Sequence, residues 1–303
     1  MLIRAGFDIS IGCAQATPLL LLLNIHPSRD KDVRSSTGLR VTSGVVTSEH
    51  ADMFGNRVHR VMGQPGTVRL TCDSLVQDTG LPDFMDAAAR ETPVADLPSE
   101  VLVYLLGSRY CETDQLGETA WKLFGNGPTG LARVEAICAF VHDHIAFDYA
   151  FAQATRTALG AYNDRQGVCR DFAHLAITLC RSMNIPARYC TGYLGDIGVP
   201  RDPAPMDFSA WFEVWLDGRW YTFDARHNHP RIGRIVMARG RDAADVAMIS
   251  SFGLHTLLNF QVWTDQVAET AVASRLFLHN PMPAQVYPAQ ANPAVTGRSA
   301  VYG

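Results

Sequence analysis

The chain has 303 residues, of which 47% are hydrophobic and 18% charged, with a formal net charge of −4. That length suggests two units, each able to bury its own core. The mild negative charge gives no electrostatic case for nucleic acid.

The apolar run PLLLLLNI at 18–25 is far too short to span a bilayer, so no membrane association is expected. The opening MLIRAGFDISIG lacks the apolar region and cleavage site of a secretory leader, and a cytoplasmic protein is expected. Seven cysteines form an odd set with no C-x-x-C pair. Closely paired zinc ligands are therefore missing, and reduced, mostly buried thiols are expected.

Residues 1–77 read as a β-rich domain. FDISIG, LLLLLNI, LRVTSGVVTS, RVHRVMG and TVRLTCDSLVQ are short β-favouring runs punctuated by Gly, Pro, Asn, Asp and Ser, the spacing of a sandwich. Residues 78–128 read as a connector with short helices, because the prolines of 78–100 oppose a long one. In GLARVEAICAFVHDHI, Leu131, Val134, Ile137, Cys138, Val141 and Ile145 share one helical face, with Thr129 as the expected N-cap. VCRDFAHLAITLCRSM repeats the pattern, and Asn184 and Pro186 end it. Strand-like runs follow: ARYCTGYL, SAWFEVWL, RWYTFDA, RIVMARG and HTLLNFQVWT. Residues 129–280 are taken as the second domain. The Pro-, Ala- and Gln-rich stretch 281–303 is expected to be disordered.

In QGVCRDFAHLA, at 166–176, Cys169 stands where a helix begins. Unpaired N–H groups and the positive end of the helix dipole favour a thiolate there, and the same N–H groups can hold an oxyanion. The alternative is a small buried thiol, the commoner fate of a free cysteine. Gly167 and the polar NDRQG lead-in weigh against that alternative.

SAWFEVWLDGRWYTFDAR reads as a hairpin turning at Asp217-Gly218. Counting outward, Trp211 faces Asp224, Glu213 faces Thr222 and Trp215 faces Trp220. Ser209 and Arg226 share that face, whereas Phe212, Val214, Leu216, Tyr221, Phe223 and Ala225 form the core face. Ser209 and Asp224 are then diagonal neighbours on one half-polar face. A salt-bridged aspartate on an outward face is the plain alternative.

The order GVCRDFAHL, NIPARYCTGY, AWFEV and RWYTFDA, over about residues 160–240, resembles the bacterial transglutaminase-like family, often described as cysteine proteases. The β-rich start resembles the N-terminal β-domain of bacterial relatives. The resemblance implies an α+β fold: a papain-like core, with a Cys-bearing helix packed on an antiparallel sheet, preceded by a β-sandwich-like domain. It implies a Cys-His-Asp triad in which Cys169 matches the nucleophile and Asp224 the residue that orients the base.

The family's histidine falls on Ser209, which has no basic site comparable to imidazole. Either another histidine supplies the base, or the triad does not operate. His227, in DARHNHP, is the first candidate: strand parity points it to the other face, but a bulge or turn could re-aim it. His229 follows. His174, five residues past the cysteine, is turned about 140° from it. His142 and His144 suit a solvated helix end. Asp171 and Arg170 suit a first-turn charge pair, Trp211 packing, and Asn163 a turn.

Two functions remain open. The first is acyl transfer from an amide of a protein or peptide substrate through a thioester on Cys169, to water (peptidase or amidase) or to an amine (transamidase). No metal or organic cofactor is needed for that chemistry. The second is a non-catalytic binding or scaffold protein of the same fold, with Ser209 marking the lost base.

Overall fold

The computed structural model describes residues 1–268 and 299–301. Strands β1 (Leu2–Cys13), β2 (Thr17–Leu21), β3 (Val33–Ser36), β4 (Arg40–Thr42), β5 (Gly44–Ala51), β6 (Arg57–Gly63) and β7 (Gly66–Gln77) open the chain. Period-two burial drives this part: Ile3, Ala5, Phe7, Ile9 and Ile11 point inward from β1, with Leu19, Leu21, Val61, Val68 and Leu70 in the same core. Short helices α1 (Ser99–Leu102) and α2 (Thr113–Phe124) follow.

The next elements are α3 (Leu131–His144), β8 (Ala146–Phe147), α4 (Ala158–Asp164), β9 (Gln166–Gly167) and α5 (Cys169–Ser182). Then come β10 (Ala187–Tyr193), β11 (Ser209–Leu216), β12 (Arg219–Phe223), β13 (Ile235–Gly240), β14 (Ile249–Ser251), β15 (His255–Val267) and β16 (Ser299–Val301). The fold is α+β, with α5 lying on the antiparallel sheet β12-β11-β10-β13.

The sandwich recruits strands from the far end of the chain. Its sheets run β15-β1-β7-β3, with β4 also on β7, and β16-β14-β2-β6-β5. The span 129–280 is therefore not one unit in the hydrogen-bonding sense. β14 and β15 pair with β2 and β1, because Ile249 and Val262 complete the sandwich core. Of the stretch expected to be disordered, all but 299–301 lies outside the described residues.

The hairpin register is as counted from the sequence. Phe212 pairs with Phe223, Glu213 with Thr222, Trp215 with Trp220 and Leu216 with Arg219. Asp217 and Gly218 both have positive φ, 44° and 76°, as a type I′ turn requires. The start of α3 differs from expectation: Gly130, not Thr129, is its N-cap, at φ 65°. The Gly130 N–H donates to Glu91 Oε1 at 2.9 Å, and a Cβ there would sit 2.3 Å from the Ala89 carbonyl oxygen. The backbone contact decided the cap.

The hairpin's second face is partly covered, with Trp211, Glu213 and Asp224 buried on it. Phe208, just before β11, joins the sandwich core and packs edge-on against Phe7, Tyr193 and Phe260. Nearby, Glu213 accepts from Arg188 Nε at 2.6 Å and Arg239 Nε at 3.1 Å, and Arg239 Nη1 reaches Ser28. An apolar contact and a buried ionic contact thus lock the two cores together. Glu213→Ala leaves two arginines without their shared carboxylate. It should lower unfolding free energy by about 3–5 kcal/mol in denaturant titration; a change within about 0.5 kcal/mol would contradict the buried-charge assignment.

Candidate functional site

The GVCRD stretch is a packed unit. The Val168 N–H donates to Asp171 Oδ2 at 2.9 Å, which satisfies one of the open donors at the start of α5. A Cβ on Gly167 would lie 2.6 Å from that same oxygen, so only glycine fits. Asp171 is fully buried and its nearer cationic partner is Arg156, at 3.2 Å, with Arg170 at 3.7 Å. Arg156 lies outside the motif, and the local charge pair expected from sequence omitted it.

Cys169 follows this cap and is 8% exposed. The helix terminus does not produce a low thiol pKa. Burial pushes the thiol up to about 11; Arg226 pulls it down, Asp207 pushes it up, and the backbone of Ala210 hydrogen-bonds it. Desolvation of the charged form is the largest of these effects. The thiol is neutral at rest.

Asp224 is buried at the end of β12. Its Oδ2 accepts from His227 Nδ1 at 2.8 Å and from Arg234 Nη2 at 3.0 Å. Its Oδ1 accepts from the backbone N–H of Arg226 and of His227, at 3.0 and 3.1 Å. Burial alone would raise this carboxyl, but Arg234 and the bonds from His227 overcome it and hold Asp224 well below the usual carboxylate range.

β12 ends at Phe223, and a turn closed by the Asn228 N–H on the Asp224 carbonyl swings His227 back over Asp224. Strand parity had pointed His227 away; the turn re-aims it. With Nδ1–H donated to the carboxylate, the lone pair of the neutral ring is on Nε2.

Ser209 begins β11 and lines a cleft of about 1140 Å³ with Tyr149, Asp207, Arg226 and His227. Trp263 of β15 and Arg4 of β1 line the same cleft. Asp207 stands two residues before Ser209, and burial pushes its carboxyl up to about 6. Burial likewise pushes Tyr149 up to about 12. Sequence reasoning passed over Asp207 and Tyr149. The i, i+2 spacing of Asp207 and Ser209 was the available clue for the first; the second comes from a short helical turn with no motif.

The other candidates have structural employment. His229 bonds the Pro230 carbonyl at 3.1 Å. His174 is fully buried against the rings of Tyr110 and Tyr189, and its Nε2 accepts from the Ala243 N–H. His144 bonds the Tyr162 carbonyl. His142 is more than a solvated helix end: its Nδ1–H donates to the Arg226 carbonyl at 2.9 Å and so pins the turn after Asp224. Asn163 is exposed at the end of α4. Trp211 packs, with the Arg234 guanidinium 5.1 Å from its ring. Among the described residues no group of three His, Cys, Asp or Glu side chains is placed to hold a metal, and no helix is long and apolar enough to cross a membrane.

Residues 118–225 match the family model of the transglutaminase-like superfamily. The chain thus carries a transglutaminase-like domain, and that segment contains Cys169, Ser209 and Asp224 and stops two residues short of His227. A crystal structure from Cytophaga hutchinsonii, named a "putative cysteine protease", is similar over 100% of this chain and 98% of its own, with 26% identity and a TM-score of 0.75. An uncharacterised protein of Mycobacterium leprae is 35% identical over 98 residues, 30% of this chain and 33% of its own. One of Mycobacterium tuberculosis is 34% identical over 112 residues, 33% of this chain and 36% of its own. The chain covers about a third of the length of these curated relatives.

Two outcomes are expected. Arg226→Gln removes the charge that most favours the thiolate, so Cys169 alkylation at a fixed alkaline pH should slow; unchanged rates would contradict the placement of Arg226. Asp224 has a depressed pKa when folded, so its contribution is complete above the unfolded value of about 3.9 and is lost as pH falls below it. Asp224→Asn should cost about 3–5 kcal/mol at neutral pH and flatten the acid limb of the stability profile, read by denaturant titration across pH.

Proposed function

We propose that the protein is a transglutaminase-like, cysteine-dependent acyl transferase acting on amide groups of protein or peptide substrates, with His227 as its base in place of residue 209. The observation that carries this reading is the 2.8 Å bond from His227 Nδ1 to Asp224 Oδ2 in the wall of the cleft. An imidazole oriented by a buried carboxylate is what a thiol nucleophile requires.

In the first step His227 Nε2 takes the Cys169 proton while Sγ bonds the amide carbon. The amide nitrogen then leaves with that proton, and a thioester remains. Water or an amine attacks the thioester and restores the thiol. The resting thiol is neutral, so proton transfer accompanies substrate binding and does not precede it. The free thiols of all seven cysteines fit a reducing, cytoplasmic setting.

A second reading, a non-catalytic protein of the same fold, is favoured by one specific observation. Cys169 is 8% exposed with its pKa raised to about 11, and the cleft lining includes Ser209 and His227 but not the cysteine.

Turnover of glutamine- and asparagine-containing peptides, followed by ammonia release and by new termini, separates the two. Cys169→Ala should abolish turnover and leave the fold intact. His227→Gln should lower it by about 10²–10⁴, and His229→Gln should leave it near wild type. Turnover that survives Cys169→Ala would overturn the nucleophile assignment. If wild type shows none and Ser209→His restores it, the second reading is correct.

A further inference from the structure

Arg226 favours the Cys169 thiolate by its charge, but the acyl-transfer scheme gives it no contact with the substrate. Its backbone is pinned on both sides, by its N–H on Asp224 Oδ1 and by His142 on its carbonyl. Its guanidinium lies 3.6 Å from the ring centroid of Phe147 and 6.0 Å from that of Tyr149. Phe147 ends β8, and β8 pairs with β9 so that Phe147 stands opposite Gly167, two residues before Cys169. The guanidinium is thus referenced to the nucleophile through one aromatic ring and one strand pair.

Within the protein its charge acts on Tyr149, Asp207 and Cys169 but is not closed into an ion pair. Arg234 is paired with Asp83 and Asp224, and Arg231 bonds the Gly195 carbonyl beside Asp196. Arg226 has no carboxylate within ion-pairing distance among the described residues, although Asp207 lines the same cleft. A guanidinium held against an aromatic ring keeps N–H groups that can meet a carboxylate with two parallel bonds. Held at one place by Phe147, it loses little freedom on binding.

We propose that Arg226 receives a carboxylate of the substrate, so that the preferred acyl donors carry a negative charge close to the reacting amide. The proposal rests on the acyl-transfer reading for the word substrate, and on the geometry of Arg226 alone for the binding. The carboxylate belongs either to an acidic side chain or to a peptide C-terminus.

The test uses Cys169→Ala protein, which cannot turn over, and three capped peptides of equal length that each contain one glutamine. One carries a neighbouring glutamate and an amidated end, one a free C-terminal carboxylate, and one neither. By calorimetry, at least one charged peptide should bind about ten-fold tighter than the neutral one, and which one does so names the source. Added salt should shrink the difference. Arg226→Gln in the same background should erase it, and Arg226→Lys should keep part of it. Equal or undetectable binding of all three peptides, or a preference that persists in Arg226→Gln, overturns the proposal. If Arg226→Gln fails to fold, a preference insensitive to salt overturns it instead. Wild-type turnover of the tighter peptide is measured separately. Intact preference without turnover strikes the acyl-transfer reading and leaves the receptor standing.

Discussion

A buried, ionised carboxylate organises this molecule. Asp224 stays charged out of water because Arg234, two backbone N–H groups and His227 surround it. Such a group is costly unless every lone pair is met, and here the partners come from different segments. Arg234 carries the constraint further, through its 2.9 Å bond to Asp83 in the connector. The turn that presents His227 and Arg226 to the cleft is therefore set by one side chain at the end of a hairpin.

The N-terminal sandwich belongs to the same constraint. It seats Phe208, the neighbour of Ser209, among Phe7, Tyr193 and Phe260, and so fixes the start of β11. It also supplies Arg4 and Trp263 to the cleft. An outward hairpin face, open to water in many antiparallel sheets, has become an interface that holds Glu213 between two arginines.

Much of the fold was legible because it follows from local chemistry. The Asp217-Gly218 turn set the hairpin register, and short β-favouring runs separated by turn residues marked the sandwich. The helix of Cys169 showed itself through its apolar spacing and its stop at Asn184 and Pro186. The return of β14 and β15 to the sandwich was not legible, since nothing in HTLLNFQVWT distinguishes one sheet edge from another. At the site, Cys169 and Asp224 could be named from motifs, and His227 only as a candidate from its spacing after Asp224. The aim of His227 could not, because it depends on a turn closed by Asn228, and neither could the part played by His142 or Phe147, which meet Arg226 only in three dimensions. The burial that pushes the Cys169 thiol pKa up was not legible either, because burial is a property of the whole fold.

The account stands or falls on a covalent bond to Cys169 made with help from His227. Brief exposure to a glutamine peptide, acid quench and peptide mapping by mass spectrometry would examine that bond directly. The account predicts an acyl adduct on the Cys169 peptide of wild-type protein, sensitive to hydroxylamine, and little or none in His227→Gln. An adduct of equal yield in both proteins, or on a different cysteine, would contradict it.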